Sequence, residues 1–399
     1  MALVPSRRET PIKVSGRRFH IAGSASKTVD RNLLAYAHSI IAQLTTALLQ
    51  NNGLVLVDVG KEPLSAEAVP GSQSTIFNWT VLEQVGSHLE RGGSSRVDTG
   101  PLVATVASFK TESQIPESRR DLWEQLKRGG AVLLEFLDTG WSSGAVRRQR
   151  QARLGDVLVV LSGSEGVEHL AQLYVQAGKP VIPLDLDLGG STPGGSGGGA
   201  RLYGKALSAP REFLRVEDTT QAGVLLTDIR TDGGKRPAGE VVAALLQLVE
   251  ALAPPTVFYV RLLNPEIEDF AAVERFFRNV VDPTVSVLGY SPFEAGRNAT
   301  EYAWMNEEIF DVLHHTGTVV VDVTGLRNNC FMELGYALGR TQRVIVTAIK
   351  GTQLPFDSKM IPTHHWEDAT DNQERQQALR EWWLKHINRP ALVRPRRIL

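Results

Sequence analysis

The feature that most restricts this chain is an alternation, repeated twice, between short apolar runs and segments with helical periodicity. From Arg18 onward the runs FHIAGS, LVLVDV, LVATVASF, AVLLEF, DVLVVLSG and PVIPLDL are separated by helical patterns around residues 32–50, 76–89, 118–127, 145–153 and 166–177. Strands that alternate with helices pair in parallel through helical crossovers. The runs are apolar throughout, as expected of strands covered on both faces of a sheet. A second series follows: TVFYVRLL, TVSVLGY, TVVVDVTG and RVIVTAI, with helical patterns around residues 269–280, 299–314, 329–339 and 372–386.

The fold expected is α/β, with two Rossmann- or flavodoxin-like domains, each a parallel sheet with helices on both faces. The expected boundaries are a tail over residues 1–16, a first domain over 17–235, a connecting helix over 236–254, a second domain over 255–390 and a tail over 391–399. The connecting helix is read from Val242, Leu245, Leu246 and Val249 at helical spacing, closed by Pro254 and Pro255. Residues 189–199 carry seven glycines and read as a mobile loop.

A chain of 399 residues with 42% hydrophobic and 22% charged residues has enough apolar material for two cores. Its net charge of −1 lacks the basic surplus that nucleic-acid or membrane-surface binding would need, so neither partner is expected. Cys330 is the only cysteine, which excludes an internal disulfide, and its apolar setting NCFMEL reads as that of a small core residue. No signal-like or membrane-spanning apolar run is present, so a cytoplasmic location is expected. The pairs His314 and His315, and His364 and His365, lack metal-site spacing, and neither a metal nor a cofactor is expected.

Two places concentrate groups suited to a ligand. In the first domain, Gly23 and Ser24 end the first strand, and Gly163 and Ser164 lead from DVLVVLSG into a helix with Glu168 in its first turn. Small residues there let backbone N–H groups approach an anion. Upstream, Arg147 and Arg150 lie three apart, share a helix face and suit phosphate contact. In the second domain, Asp322, Asn328, Asn329 and Glu333 collect where VVVDVTG hands over to a helix. Asn329, Glu333 and Tyr336 share one face, with Phe331, Leu334 and Leu338 directed to the sheet. Glu333 reads as a first-turn carboxylate. Arg261, after the first strand of this domain, and Tyr290 and Ser291, at the end of TVSVLGY, are expected to join it as substrate-binding groups, with Arg297 nearby.

The series SGSEGVE, helix, GKPVIPL resembles the SLOG superfamily, the Rossmann-like group that includes the cytokinin-activating phosphoribohydrolases. Their PGGxGTxxE signature uses a glycine-rich turn for phosphate and a Glu for hydrolysis of an N-glycosidic bond. Gly163 falls on a matching position, with Glu165 at the third Gly and Gly166 at the Thr position, and Glu168 lies one residue short of the signature's Glu. The extra carboxylate would repel a phosphate, and a nucleotide-sensing SLOG domain of the kind found in bacterial defence proteins fits this departure better than a hydrolytic one. The resemblance covers roughly residues 17–230.

The segment DVTGLRNNCFMELGYALG, with the later PFD, resembles the nucleoside 2-deoxyribosyltransferase-like and TIR-like nucleotide-processing families over about residues 255–370. In those families the Glu of the ELG run attacks an anomeric carbon or serves cleavage of the nicotinamide–ribose bond of NAD. The resemblance implies that Glu333 is the catalytic carboxylate, assisted by Asp322. Arg327 stands where the deoxyribosyltransferases place an Asp, which suits a phosphorylated substrate. Together the two resemblances imply a nucleotide-signal-regulated effector of bacterial anti-phage defence, an N-glycosidase acting on NAD or a related nucleotide and working as a homo-oligomer. The alternative is a non-catalytic sensor or scaffold made of two nucleotide-binding modules.

Overall fold

A computed structural model describes residues 13–65, 73–97, 100–137, 143–189, 198–216, 219–294, 309–310, 312–314, 316–340, 343–355, 360–369 and 371–387. The two tails beyond these, Arg297, His315, most of the expected helix 299–314 and most of the glycine-rich run lie outside the described residues.

The first sheet contains β1 (Arg18–Ser24), β2 (Leu54–Leu56), β5 (Val103–Ala107), β6 (Val132–Phe136), β7 (Val157–Ser162) and β8 (Val181–Pro183). They are parallel, in the order β6-β5-β2-β1-β7-β8. A separate antiparallel pair, β3 (Arg96–Val97) and β4 (Gly100–Pro101), precedes β5. From β1 the chain builds outward to β6, then returns to the other side of β1 to lay down β7 and β8. The order therefore reverses between β1 and β7, and the crevice at a reversal of this kind is where open α/β sheets take ligands.

The helix Arg31–Gln50 illustrates how the layers hold. Leu34, Ala37, Ile41, Leu44 and Leu48 recur every three or four residues and are all buried. Each fully buried Leu or Ile contributes about 1.5–3 kcal/mol. Asp30 caps the start of this helix through a bond from the Leu33 amide, 2.9 Å. The helix Ala238–Ala251, within the connecting segment, contributes Val241, Leu245, Leu248 and Val249 to the first hydrophobic core.

The second sheet contains β9 (Thr256–Val260), β10 (Ser291–Glu294), β11 (Thr318–Asp322), β12 (Val344–Ile349) and β13 (Thr363–Trp366), all parallel, in the order β10-β9-β11-β12-β13. This is the flavodoxin-like order, and both halves are thus α/β with covered parallel sheets. The expected strand TVSVLGY is corrected. Residues Asp282–Val287 continue a helix that starts at Phe270 and passes through a π-helical stretch, Phe277–Val281. Val273, Phe276, Phe277, Val280, Val281 and Val285 form one buried stripe, so packing overrides the β preference of Thr284, Val285 and Val287. The strand comes later, at the sheet edge, where Pro292 costs no ladder bond. The fifth strand, THHW, places His364 and His365 in the sheet.

Candidate functional site

At the reversal point of the first sheet, β1 and β7 run side by side with Gly23 opposite Leu161 and Ser24 opposite Ser162. The Gly163 amide donates to the Ser24 carbonyl, 2.9 Å, and the Gly198 amide to the Gly163 carbonyl, 2.7 Å. A side chain at Gly23 would put its Cβ 1.9 Å from the Leu161 carbonyl oxygen, and Gly163 has φ +94°. Both glycines are therefore required by the chain's own packing, whatever binds there. The helix Glu165–Gln176 starts here, and its cap residue Ser164 makes no side-chain capping bond.

The helix Ser143–Leu154 lies beside this crevice and brings cations to two strand-end carboxylates. Arg147 Nε stands 3.7 Å from Asp58, just past β2, and Arg150 Nε stands 3.5 Å from Glu135, on β6. Gln151 Nε2 donates to Asp58 Oδ1 at 2.5 Å, and Arg148 Nε donates to His169 Nδ1 at 2.9 Å. Burial pushes the Asp58 carboxyl up against the opposing pull of Arg147 and Gln151, and pushes Glu135 up against Arg150. Glu168 is joined to Arg201 of the helix Gly198–Ser208. Asp58, Glu135, Gln151 and Arg201 were missed in the sequence. The one available signal was a carboxylate directly after the apolar run of LVLVDV.

In the second domain the expected residues separate into two groups. Asp322 is fully buried. Its Oδ1 accepts from the Thr324 amide at 3.0 Å, and its Oδ2 accepts from Thr347 Oγ1 at 2.7 Å and Trp366 Nε1 at 3.0 Å. With donors on both oxygens and no exposure, Asp322, expected as a catalytic residue, braces the turn after β11. Arg261 pairs through Nε and Nη2 with Glu294 and, at 2.7 Å, with Glu274, over the Phe277 ring, and its Nη1 is left without a bond. Tyr290 and Ser291 lie at the amino end of β10, not at the carboxyl ends, because the strand begins at Ser291. Tyr290 packs on Trp383 there. These two are corrected from the expected cleft.

Glu333 remains. The helix Asn328–Arg340 buries Cys330, Leu334 and Ala337, with Phe331 and Leu338 flanking them. Glu333 lies on the edge of that stripe in the second turn, not the first, so it has little part in balancing the helix end. Burial raises its carboxyl to about 7, and no side chain among the described residues pairs with it. Tyr336, on the same face, bonds His314 Nδ1 at 2.7 Å and meets Phe310 edge-on. Asn328 and Asn329 are exposed in the first turn. The Cys330 thiol is buried and pushed up to about 12, as in a core residue. Among the described residues no group of three or more His, Cys, Asp or Glu side chains could hold a metal, and no helix is long and apolar enough to cross a membrane.

Two doubly wound parallel sheets, one with small residues at its reversal point, define a protein of the Rossmann-like α/β class. The chain belongs to the family described as ATP nucleosidase Cap17-like, N-terminal, whose model matches residues 14–249. It is similar to ATP nucleosidase Cap17 of Escherichia coli strain KTE188, at 26% identity over 191 residues, 47% of this chain and 36% of that protein. A second Escherichia coli ATP nucleosidase Cap17 matches to the same extent. The chain thus spans about a third of the length of these curated relatives. Among solved structures, the X-ray structure of the structural-genomics target TM1055 matches at 18% identity with a TM-score of 0.27, covering 47% of this chain and 81% of that one.

Proposed function

We propose that the chain is a nucleotide-responsive N-glycosidase, with a SLOG-like first domain that binds a phosphorylated nucleotide and a TIR-like or deoxyribosyltransferase-like second domain that cleaves a nucleotide at its glycosidic bond. The observation that carries this reading is Glu333. A half-buried carboxylate without a partner among the described residues is costly to keep for structure alone, and its value of about 7 lets it hold or release a proton near neutrality. Cleavage of an N-glycosidic bond builds positive charge on the ribose. A carboxylate at the anomeric carbon either balances that charge or captures it covalently. ATP and NAD are the substrates to try, ATP because the curated relatives are named ATP nucleosidases and NAD because of the TIR-like motif. Anti-phage defence is the proposed setting, and cytoplasmic action as a homo-oligomer the proposed state.

The test is Glu333→Gln against wild type, with release of adenine from ATP and of nicotinamide from NAD followed by chromatography. The reading expects a fall of about 10²-fold or more. Equal rates would remove Glu333 from the chemistry. A second reading is favoured by the family match, which falls on the first domain: the nucleosidase chemistry would lie there, beside Asp58 and Glu135. Cleavage that survives Glu333→Gln and fails in Glu135→Gln would favour that reading. No cleavage in any form would favour a non-catalytic sensor.

A further inference from the structure

We infer that Asp58 accepts a hydrogen bond from a ribose hydroxyl of the nucleotide whose phosphate lies over the Gly163–Ser164 turn, so that the first domain selects a ribonucleotide with unlinked 2′- and 3′-hydroxyls. This rests on the reading that the first domain binds a nucleotide. Leu56 of β2 pairs in register with His20 of β1. Two residues on, Asp58 is therefore level with Ala22, one strand away from the crevice formed by Ser24, Ser162 and Gly163. In doubly wound sheets a carboxylate at the end of a strand near the phosphate-holding turn meets a ribose hydroxyl; here β1 stands between β2 and β7, so Asp58 lies two strands, roughly 10 Å, from the Gly163–Ser164 turn, a span that the phosphate and ribose of one nucleotide cover.

The occupancy of the carboxylate itself points the same way. Asp58 Oδ1 takes the Gln151 bond and faces Arg147, while none of the described donors bonds Oδ2. The side chain is 36% exposed. The chain's structural aspartates differ. Asp322 has donors on both oxygens and no exposure, and Asp156 is bonded on both oxygens by the Arg18 amide and Arg343. Asp58 is fixed on one side and open on the other, which is the arrangement a hydroxyl acceptor needs. Burial pushes the Asp58 carboxyl up, and Arg147, Gln151 and Arg148 oppose that push. A 2′- or 3′-linked nucleotide has lost one of the donors that would meet it.

The experiment is calorimetric titration of ATP, 2′-deoxy-ATP and 3′-deoxy-ATP into the full chain carrying Glu333→Gln, alone and combined with Asp58→Ala or Asp58→Asn. The expected result is a roughly tenfold to hundredfold weaker binding of at least one deoxy analogue, lost when Asp58 becomes Ala, where all three nucleotides bind alike. If Asp58→Ala does not fold, Asp58→Asn decides by the same comparison, since it preserves size and an acceptor for Gln151. Equal binding of the three nucleotides without the Asp58 change, or a preference that persists in the variants, overturns the assignment while leaving nucleotide binding intact. Failure of all three to bind overturns the nucleotide reading of the domain itself.

Discussion

Arg343, at the start of β12 in the second domain, reaches across to Asp156 in the first, with Nη1 2.5 Å from Oδ1 and Nη2 3.3 Å from the Leu154 carbonyl. Asp156 also takes the Arg18 amide at 2.8 Å. Lys179 bonds the carbonyls of Ala152, Arg153 and Gly155. The carboxyl end of the helix that carries Arg147 and Arg150 is thus held partly by its own domain and partly by the other. Cations are favoured at this end of a helix.

Arg343→Ala leaves Asp156 largely buried without its main partner, and we expect a stability loss of about 2–4 kcal/mol, read as a lower Tm or denaturation midpoint. Despite burial, Arg343 and Lys179 hold the Asp156 carboxyl down at about 2. The folded form therefore binds this proton less readily than the unfolded chain. The stabilisation is complete above about pH 4 and is lost as the pH falls toward 2. Denaturation curves at pH 6, 4 and 2 should converge for wild type and Arg343→Ala, and a constant gap would refute the pairing.

Glu333 carries the opposite sign. Its folded value of about 7 exceeds the ordinary 4.5, so the folded state binds the proton more tightly and stability declines as the pH rises from about 4.5 to 7. Glu333→Gln removes that penalty. The variant should match wild type at pH 4 and be more stable at pH 8 by about 1–2 kcal/mol, a figure reduced for partial exposure. Gain of stability with loss of cleavage marks a residue kept for function. Identical Tm values at pH 8 would mean the carboxylate is better solvated than the structure indicates.

The free-enzyme pH profile follows from the same group. If ionised Glu333 serves cleavage, kcat/KM should rise with pH through an apparent pKa near 7 and level off above it. A profile flat from pH 5 to 9 argues against that role.

Asp322→Asn tests the brace. An amide cannot accept from all three donors at once, and the mismatch should destabilise by about 2–4 kcal/mol. Cleavage per folded molecule, measured well below the variant's Tm, should change much less than in Glu333→Gln. A large specific loss at full folding would restore Asp322 to the reaction.

In the first domain, Arg147→Ala should weaken binding of ATP by about 1.5–3 kcal/mol, as for one lost charged hydrogen bond, by calorimetry. Arg150→Ala leaves Glu135 half-buried beside fewer cations and should lower Tm as well. Unchanged affinity in the double variant would detach this helix from the ligand.

Much of the architecture was legible in the sequence because it follows from local periodicity. Runs such as VLVVLS, apolar on both faces, have no stable place except inside a covered parallel sheet, and the repeated helix between them sets the crossovers. The ELGYALG pattern likewise set Glu333, Asn329 and Tyr336 on one helix face, a consequence of 3.6-residue spacing alone. Tertiary structure decided what periodicity does not encode. TVSV, the first four residues of TVSVLGY, became helix because Val280, Val281 and Val285 extend a stripe already packed from Phe276. Asp322 and Arg261 lost their freedom to partners 25 to 44 and 13 to 33 residues away, Thr347, Trp366, Glu274 and Glu294. Asp58 acquired its half-open carboxylate from Gln151, 93 residues later. A carboxylate's chemistry depends on which donors reach it and how much water remains, and both are set by contacts between segments that the sequence holds far apart.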